Sequence, residues 1–520
     1  MQQQNIPTEK RSPIRLAYWE LQIALRSGGI RIALVLFALL LLVALTLGVI
    51  RTQGRQNDVR LVELENAQVK ELFVSVLQGK TDTAGETEAT PTRLTRLSKQ
   101  LRMSAKSPYL VSHADNLWDV SLFPSPLSVL SVGASQSWPD HYRVNGVSFS
   151  ETIQRNEQVR AVASFYGPFD VAFVIMAIAP LIIIGLSFNV SSGDRESGLQ
   201  NLTVAQTGRL GKLMAVRCFV RAALVIGLVV GLVNGTLLIT FGTQFDGNVV
   251  ANLIIWNVLT VLYLFFWSAM CLFVNSFARS SATNGTALLL FWSLLVMVIP
   301  GFVSHAVQEA VPTLPESELV DRAKGLFDEA SKDTGDIVER YQVDHPEVEI
   351  DLEDEQQMAL VNYLLAHDAA GNLAVDSVNS HFSANSLRAK NLDLCAWVSP
   401  AISFRNQTDR CSGNSEAAFI AFSAHAANTQ AKVAKVFLHP SIANEQCTAE
   451  TIAALPEFQE SAIPKTFSKL RSFQSIASVL VWLIVLVGLG IGQFRARALN
   501  KKQKRLPLSL IHISEPTRPY

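Results

Sequence analysis

Charged residues are scarce in this sequence, and several long stretches contain almost none. Asp, Glu, Lys and Arg make up 17% of the 520 residues, whereas 49% are hydrophobic. A typical soluble domain carries about 25% charged residues, so the composition argues against that class and indicates a membrane protein. Lys plus Arg and Asp plus Glu both number 44. This balance disfavours a strongly basic surface, and no nucleic-acid partner is predicted.

Motifs of nucleotide and metal chemistry are also missing. The phosphate-binding pattern G-x-x-x-x-G-K-[ST] does not occur, and its nearest approach, Gly79-Lys80-Thr81, has Val74 in place of the first glycine. Neither H-E-x-x-H nor C-x-x-C occurs. The chain is therefore predicted not to be an enzyme and to bind no metal and no cofactor itself. Any ATP hydrolysis is expected in a separate partner subunit.

Six apolar stretches approach the roughly 20 residues that an α-helix needs to cross about 30 Å of hydrocarbon. The predicted transmembrane helices are 32–50, 171–188, 219–241, 253–277, 285–303 and 476–493. None of them has an Asp or Glu at mid-depth, where proton- or sodium-coupled carriers often place one. The pattern therefore disfavours a secondary transporter.

Lys and Arg gather in the segments that six spans place on one side, and such segments are typically cytoplasmic. They are Lys10, Arg11, Arg15, Arg26, Arg31, Arg195, Arg209, Lys212, Arg217, Arg495, Arg497, Lys501, Lys502, Lys504 and Arg505. Both termini are then predicted to be cytoplasmic, with a loop at 189–218 and a basic tail at 494–507. Within the N-terminal segment 1–31, alternating apolar and charged residues predict an interfacial helix; the alternative is a simple leader to the first span.

Two long segments fall on the other side, at 51–170 and 304–473. The first opens with helical spacing of apolar residues and then breaks at the polar run 81–92, interpreted as a linker. The second is predicted to be mostly helical, and its acidic stretch 347–355 is interpreted as a solvated face or loop in preference to a metal site. The predicted fold class is an all-α polytopic membrane protein with six transmembrane helices and two large, mainly helical extracytoplasmic insertions.

Small and polar residues within the spans predict close helix packing. Glycines recur at four-residue spacing, which permits close helix approach within the bundle or between subunits; they are Gly227, Gly231, Gly235, Gly488 and Gly492. Three asparagines lie at membrane depth and are expected to make interhelical hydrogen bonds; they are Asn234, Asn257 and Asn275.

Three of the five cysteines lie in the second insertion. An extracytoplasmic compartment is oxidising, so two of Cys395, Cys411 and Cys447 are predicted to form a disulfide. The spacing does not select the pair.

The loop after the second span carries a distinctive series of motifs. It reads Ser192-Gly193-Asp194-Arg195-Glu196-Ser197-Gly198-Leu199, then Ala205-Gln206-Thr207-Gly208-Arg209, then Gly211-Lys212-Leu213. The series resembles the signature of ABC-2 type transporter permeases, with Leu199 in place of the usual Thr and Thr207 where Pro is common. In that family the loop forms a coupling helix on the ATPase subunit. The resemblance therefore implies an ATPase-coupling role for Arg195, Glu196, Gly198, Arg209 and Lys212.

Three further segments resemble a bacterial subgroup of these permeases with large extracytoplasmic domains of unknown function. They are Pro126-Leu127-Ser128-Val129-Leu130-Ser131-Val132-Gly133, Trp138-Pro139-Asp140-His141-Tyr142-Arg143-Val144, and Ser399-Pro400-Ala401-Ile402-Ser403-Phe404. The resemblance implies the membrane-spanning subunit of an ATP-driven exporter in the bacterial inner membrane. The expected partners are a cytoplasmic ABC ATPase, a second permease chain (identical or a paralogue), membrane lipid and an envelope protein.

A non-transport reading stays open beside this one. The large insertions are also typical of a membrane sensor or assembly scaffold that binds a ligand or protein outside, and such a protein needs no ATPase. An intramembrane enzyme is disfavoured because the spans hold no nucleophile with a base. Residues 508–520 resemble the translation of a sequencing-library adapter, so no function is predicted for them.

Overall fold

The computed structural model describes most of the chain. The described residues are 13–78, 106–112, 118–144, 169–200, 202, 210–277, 279–313, 316–332, 334–348, 350, 353–448, 450–451, 455 and 469–509. The polar run 81–92, Arg209 and residues 510–520 lie outside them.

Six helices of the structure are long and apolar enough to cross a membrane, the number predicted from the sequence. They are α2 (Gly28–Leu77), α4 (Val171–Phe173 and Ala179–Ser187, joined by the π-helical turn Val174–Ile178), α6 (Leu210–Phe241), α7 (Gly247–Ser276), α8 (Ser281–Ser293 and Ile299–Ala310, joined by the π-helical turn Leu294–Val298) and α14 (Lys469–Ser509). A shorter helix, α1 (Pro13–Arg26), precedes them where the interfacial helix was predicted.

Several helices run well beyond the predicted spans. Helix α2 continues without a break to Leu77, so the helical pattern at the start of the first insertion belongs to the same continuous helix as the first span. Helix α6 already begins at Leu210, inside the segment predicted as a loop, and α14 continues through the basic tail. Hydropathy marks the part of a helix that lies in hydrocarbon, whereas backbone hydrogen bonding continues into polar sequence.

The insertions contribute most of the remaining elements. Their helices are α3 (Pro108–Ser112), α9 (Glu316–Ala330), α10 (Thr334–Asp344), α11 (Glu355–Leu394), α12 (Pro400–Cys411) and α13 (Glu416–Ile442). In the first insertion, β1 (Trp118–Ser121) pairs antiparallel with β2 (His141–Val144); Trp118 faces Val144 and Ser121 faces His141. This small sheet was not predicted from the sequence.

We name the two ends of the helix bundle by what lies there. The insertion end carries the two insertions and the short connection 242–246, which meets the first insertion where Gln56 hydrogen-bonds Gln244. The loop end carries α1, the segment 188–202 and the connection 277–280.

Each π-helical turn is followed by a proline, and a neighbouring side chain replaces the donor that the proline lacks. Pro180 has no N–H to offer to the Met176 carbonyl four residues earlier, and the Tyr263 hydroxyl donates to that carbonyl at 2.7 Å. In the second π-helical turn the i−5 pattern would pair the residue at 300 with the Leu295 carbonyl, but Pro300 has no N–H, and this carbonyl accepts a 2.7 Å hydrogen bond from the Ser399 hydroxyl. These two backbone carbonyls therefore stay hydrogen-bonded at membrane depth.

The three asparagines at membrane depth make the predicted interhelical hydrogen bonds. Asn234 of α6 and Asn257 of α7 exchange amide hydrogen bonds of 2.9 and 3.0 Å. Asn275 of α7 donates to the Ser187 carbonyl of α4 at 3.1 Å. These hydrogen bonds connect α6 to α7 and α7 to α4.

The predicted glycine rows do not pack helices within this chain. A Cβ added to Gly227, Gly231, Gly235, Gly488 or Gly492 would meet no described atom within 4 Å. In α14 the close approach is made by Gly490 instead, where a Cβ would lie 3.3 Å from Leu272 Cγ and 3.4 Å from the Phe273 backbone. Residues 488 and 492 lie on the other side of the helix, because each residue turns an α-helix by about 100°. The rows remain available for contact between subunits.

The structure does not form the predicted disulfide: all five cysteines are free. Cys411 packs in the main core of the bundle and Cys447 in a separate core of the insertions, whereas Cys395 borders a third cluster. The three cysteines therefore pack against different sets of apolar residues. Burial raises the pKa of the Cys447 thiol to about 11, which keeps it in the unreactive thiol form at neutral pH.

One arginine of α2 connects both insertions. Arg55 Nε donates to Asp140 Oδ2 at 2.7 Å, and Arg55 Nη1 donates to Asn414 Oδ1 at 3.1 Å. Asn414 in turn donates to the Ser131 carbonyl at 2.6 Å. Next to it, Gly133 has φ +49° and lies against the Asn414 carbonyl, so both its backbone conformation and its surroundings exclude a side chain.

A second charged cluster, centred on Arg405 of α12, lies where α4 enters the bundle. Arg405 Nη1 lies 3.3 Å from the Asp170 carboxylate, and Nε lies 3.2 Å from that of Asp409. Asp170 also accepts the backbone N–H groups of Val132 at 2.9 Å and Phe173 at 2.7 Å. The cluster therefore fixes the two insertions to each other and to the first turn of a membrane helix.

Candidate functional site

The motif-bearing loop at the loop end forms a short helix, α5 (Ser192–Glu196), that is fastened to the start of α8. The Glu196 carboxylate accepts hydrogen bonds from the Ser281 backbone N–H and hydroxyl, both at 2.8 Å. The Ser281 hydroxyl also lies 2.8 Å from Ser192 Oγ, and Arg195 donates to the Arg279 carbonyl. A carboxylate at a helix N-terminus satisfies free N–H groups there and complements the helix dipole.

Helix α5 is also fastened to α6. Arg217 Nη1 donates to Asp194 Oδ2 at 2.7 Å, and the same guanidinium lies 3.4 Å from the Glu20 carboxylate of α1. Arg217 therefore joins three segments that are far apart in the sequence.

Glu20 is a nearly buried carboxylate on α1, with its side chain only 7% exposed. Besides Arg217 it pairs with Arg221 Nη2 at 3.5 Å, and Arg221 also donates to the Leu186 carbonyl at the end of α4. A buried carboxylate needs compensating charge, and these two arginines supply it. Helix α1 is thus attached to the membrane bundle by its acidic residue.

The outer surface of this site is mixed apolar and polar. Leu199 and Leu202 are 52% and 57% exposed, and Glu196, Gly198 and Lys212 are exposed as well. Gly198 has φ +73°, a conformation that glycine adopts without strain, and this lets the chain turn away after α5. Two exposed leucines beside a charged turn form a surface suited to a protein partner.

The structure brings Arg195, Glu196 and Gly198 together on one loop, with Lys212 exposed at the start of α6. Arg209 lies outside the described residues. Glu20, Arg221 and Ser281 complete the site and were not predicted from the sequence. The available signals were a lone Glu within the apolar pattern of α1 and an Arg at the inner end of an apolar span, but neither reveals its partner.

A cavity of about 390 Å³ lies at the insertion end, between the insertions. Its lining includes Trp138, Asp393, Asp409, Arg410 and Glu416. Arg410 pairs with Asp393, and burial raises the pKa of the Glu416 carboxyl, opposed by Arg388. The cavity is lined by several charged and polar side chains, and no residue of the motif-bearing loop lines it.

Six apolar helices with few charges define the chain as a multi-pass membrane protein. The family model described as ABC-2 family transporter protein matches residues 14–499, and the chain belongs to that family. No curated protein and no solved structure matches it. Family membership implies a non-catalytic, membrane-spanning permease subunit that works with an ABC ATPase. The match includes α1, the motif-bearing loop and both insertions.

Proposed function

We propose that two permease chains of this kind, together with two cytoplasmic ATPase subunits, form an ATP-driven exporter in a bacterial inner membrane. In this proposal the loop end faces the cytoplasm, and the insertions lie outside, where an envelope partner can dock. The exposed apolar side chains of α1 meet lipid at the membrane interface; they are Ile14, Tyr18, Trp19 and Ile23.

The observation that carries the proposal is the fastening of the motif-bearing loop to the membrane helices. Glu196 joins α5 to α8, and Asp194 joins it to α6 through Arg217. Glu20 adds α1 to the same cluster. An ATPase that closes against the loop end would therefore move three membrane-facing elements together instead of bending a flexible loop.

The experiment that tests this function replaces both exposed leucines of the loop by aspartate, Leu199→Asp with Leu202→Asp. The purified chain should retain a co-purifying ABC ATPase in mild detergent, and the double variant should lose at least 90% of it. Charges placed in an apolar contact remain unpaired and desolvated, which costs several kcal/mol. Mass spectrometry of the purified complex measures the ratio.

The matched control is Leu61→Asp with Leu64→Asp, two leucines on α2 that are each 59% exposed and lie towards the insertion end. The control should keep the ATPase. A wild-type chain that never co-purifies with an ATPase while remaining folded would contradict the proposal.

The glycine row of α6 is the proposed contact with a second permease chain. Gly227 and Gly231 are exposed and have open space where a Cβ would lie, so the helix of a partner can approach closely there. Leucines at both positions should convert the purified dimer to a monomer without lowering its unfolding temperature. Light scattering in detergent measures the mass of the particle.

Two variants of α14 compare a glycine that packs within the chain with one that faces open space. Gly490→Leu should lower the stability of the monomer by about 1–3 kcal/mol, because overpacking pushes Leu272 and the Phe273 backbone away. Gly488→Leu, two residues earlier and in open space, should not lower it.

A dimer that survives Gly227→Leu with Gly231→Leu would show that the second chain binds elsewhere.

A second candidate function, a ligand sensor or assembly scaffold, is favoured by the polar cavity between the insertions. It predicts a folded protein that co-purifies with an envelope partner and has no ATPase. The co-purification experiment therefore separates the two functions directly.

A further inference from the structure

Two histidines and a glutamate meet on the second insertion, away from the motif-bearing loop. His345 and Glu347 lie in the turn after α10, and His439 lies in the last turn of α13. One potential ligand atom from each residue lies within 4.8 Å of the other two. We propose that these three side chains bind a divalent transition-metal ion, Zn²⁺, as an external metal site of this protein.

The local backbone brings the first two ligands together. The His345 N–H donates to the Tyr341 carbonyl at 2.9 Å, and the Val348 N–H donates to the His345 carbonyl at 3.1 Å. This closed turn contains Pro346 and folds Glu347 back, so that its Oε1 lies 3.1 Å from His345 Nδ1. Two atoms bound to one zinc ion at about 2.1 Å each can be this close.

The third ligand comes from a segment almost a hundred residues later. Val348 and Ile442 are buried in one hydrophobic cluster with Val338, and this shared apolar base holds the end of α13 against the turn after α10. The imidazole rings of His345 and His439 lie with their centroids 5.6 Å apart. The site thus rests on a packed core rather than on two mobile loops.

Tyr341 contacts both histidines of the site. The Tyr341 hydroxyl lies 3.2 Å from His439 Nδ1, and the Tyr341 ring packs on His345 with a centroid distance of 4.5 Å. Metal-binding histidines usually use their other ring nitrogen to contact an oxygen that fixes the ring. Tyr341 is the positioning residue for both imidazoles.

The donor set selects the kind of ion. Two imidazole nitrogens and one carboxylate oxygen suit zinc, whereas calcium and magnesium prefer oxygen ligands alone. Ligands on a tetrahedral zinc lie about 3.4 Å apart, so small side-chain rotations bring the present set onto one ion. The Glu347 side chain is 59% exposed, which leaves an entry path and a fourth position open to water or a transferable ligand.

The alternative is an ion pair between His345 and Glu347 that binds no metal and has the His439 imidazole as a neighbour. Titration with metal ions distinguishes the metal site from this ion pair. The full-length chain, carrying no histidine tag and stripped with EDTA, is titrated with Zn²⁺ by calorimetry and with Co²⁺ by visible absorption. One equivalent should bind with a micromolar or lower Kd. His345→Ala, Glu347→Gln and His439→Ala should each weaken binding at least tenfold, and Tyr341→Phe should weaken it less.

The matched control is His425→Ala, which removes a histidine of the same helix α13 outside the cluster. It should bind Zn²⁺ like the wild type. Zinc should also raise the unfolding temperature of the wild type and of the control, but not that of His439→Ala. Failure of the wild type to bind Zn²⁺, or equal binding by the wild type and the His345→Ala and Glu347→Gln variants, would overturn the site whatever the fate of His439→Ala.

Discussion

Replacement of Arg405 by methionine is expected to destabilise the protein by about 3–5 kcal/mol, the cost of leaving buried charges without their partner. The guanidinium lies 3.3 Å from Asp170 and 3.2 Å from Asp409. Asp170 is almost completely buried, with its side chain 1% exposed. Methionine keeps most of the apolar length of arginine, so the loss of stability measures the effect of removing the charge. Thermal unfolding in detergent, followed by tryptophan fluorescence, measures it.

The loss should depend on pH in a defined direction. Burial raises the pKa of the Asp409 carboxyl, while Arg405 and the Ser131 hydroxyl act against that rise. Without Arg405 the pKa rises further. A carboxyl with a raised pKa in the folded protein costs stability at high pH, and that cost disappears as the pH falls through the folded pKa. The difference between the variant and the wild type should therefore be largest at pH 8 and shrink towards pH 5.

Two further variants decide whether charge is the cause. Arg405→Met combined with Asp409→Asn should be more stable than Arg405→Met alone, because one unpaired carboxylate has been removed. Arg340→Met replaces an exposed arginine of α10 and should change the stability by less than about 0.5 kcal/mol. A pH-independent loss, unrelieved by Asp409→Asn, would mean that packing and not charge holds this junction.

Parts of this architecture could be predicted from hydropathy alone. Lipid requires apolar helices of a minimum length, so the number of spans follows from the composition of six stretches. Helix ends do not follow, because the hydrogen-bonded rod of α2 continues to Leu77 through polar sequence. Packing details did not follow either: four-residue spacing selected Gly488 and Gly492, whereas the rotation of α14 places Gly490 against α7.

The candidate site, like the fold, could be predicted from the sequence only in part. Motif resemblance selected the loop with Glu196, but not the hydroxyl and N–H of Ser281 that its carboxylate contacts 85 residues later. Long-range pairs such as Glu20 with Arg221 depend on the fold of the whole bundle, and a single sequence carries no record of which charges meet. The two histidines of the proposed zinc site are likewise separated by nearly a hundred residues, so no spacing motif could reveal them.

Replacement of Glu20 by alanine is expected to release α1 from the bundle, with a loss of about 2–3 kcal/mol for the charged hydrogen bonds. Arg217 keeps Asp194 and Arg221 keeps the Leu186 carbonyl, so the bundle itself should stay folded. Trypsin cleavage within α1 should then become at least tenfold faster, as followed by mass spectrometry. Gln22→Ala on the same helix is the control, because the Gln22 side chain makes its hydrogen bond to Tyr18 of α1 itself and not to the bundle.

The same variant separates anchoring from coupling. If α1 transmits ATPase motion through Glu20, the alanine variant should still bind the ATPase through the loop surface at Leu199, but the purified complex should hydrolyse ATP more slowly than the wild-type complex. Glu20→Gln keeps an acceptor and the side-chain length, so it should fall between alanine and the wild type in both cleavage and hydrolysis. Faster cleavage with unchanged hydrolysis would restrict α1 to an anchor, and coupling would then pass through Glu196 and Arg217 into α8 and α6 alone.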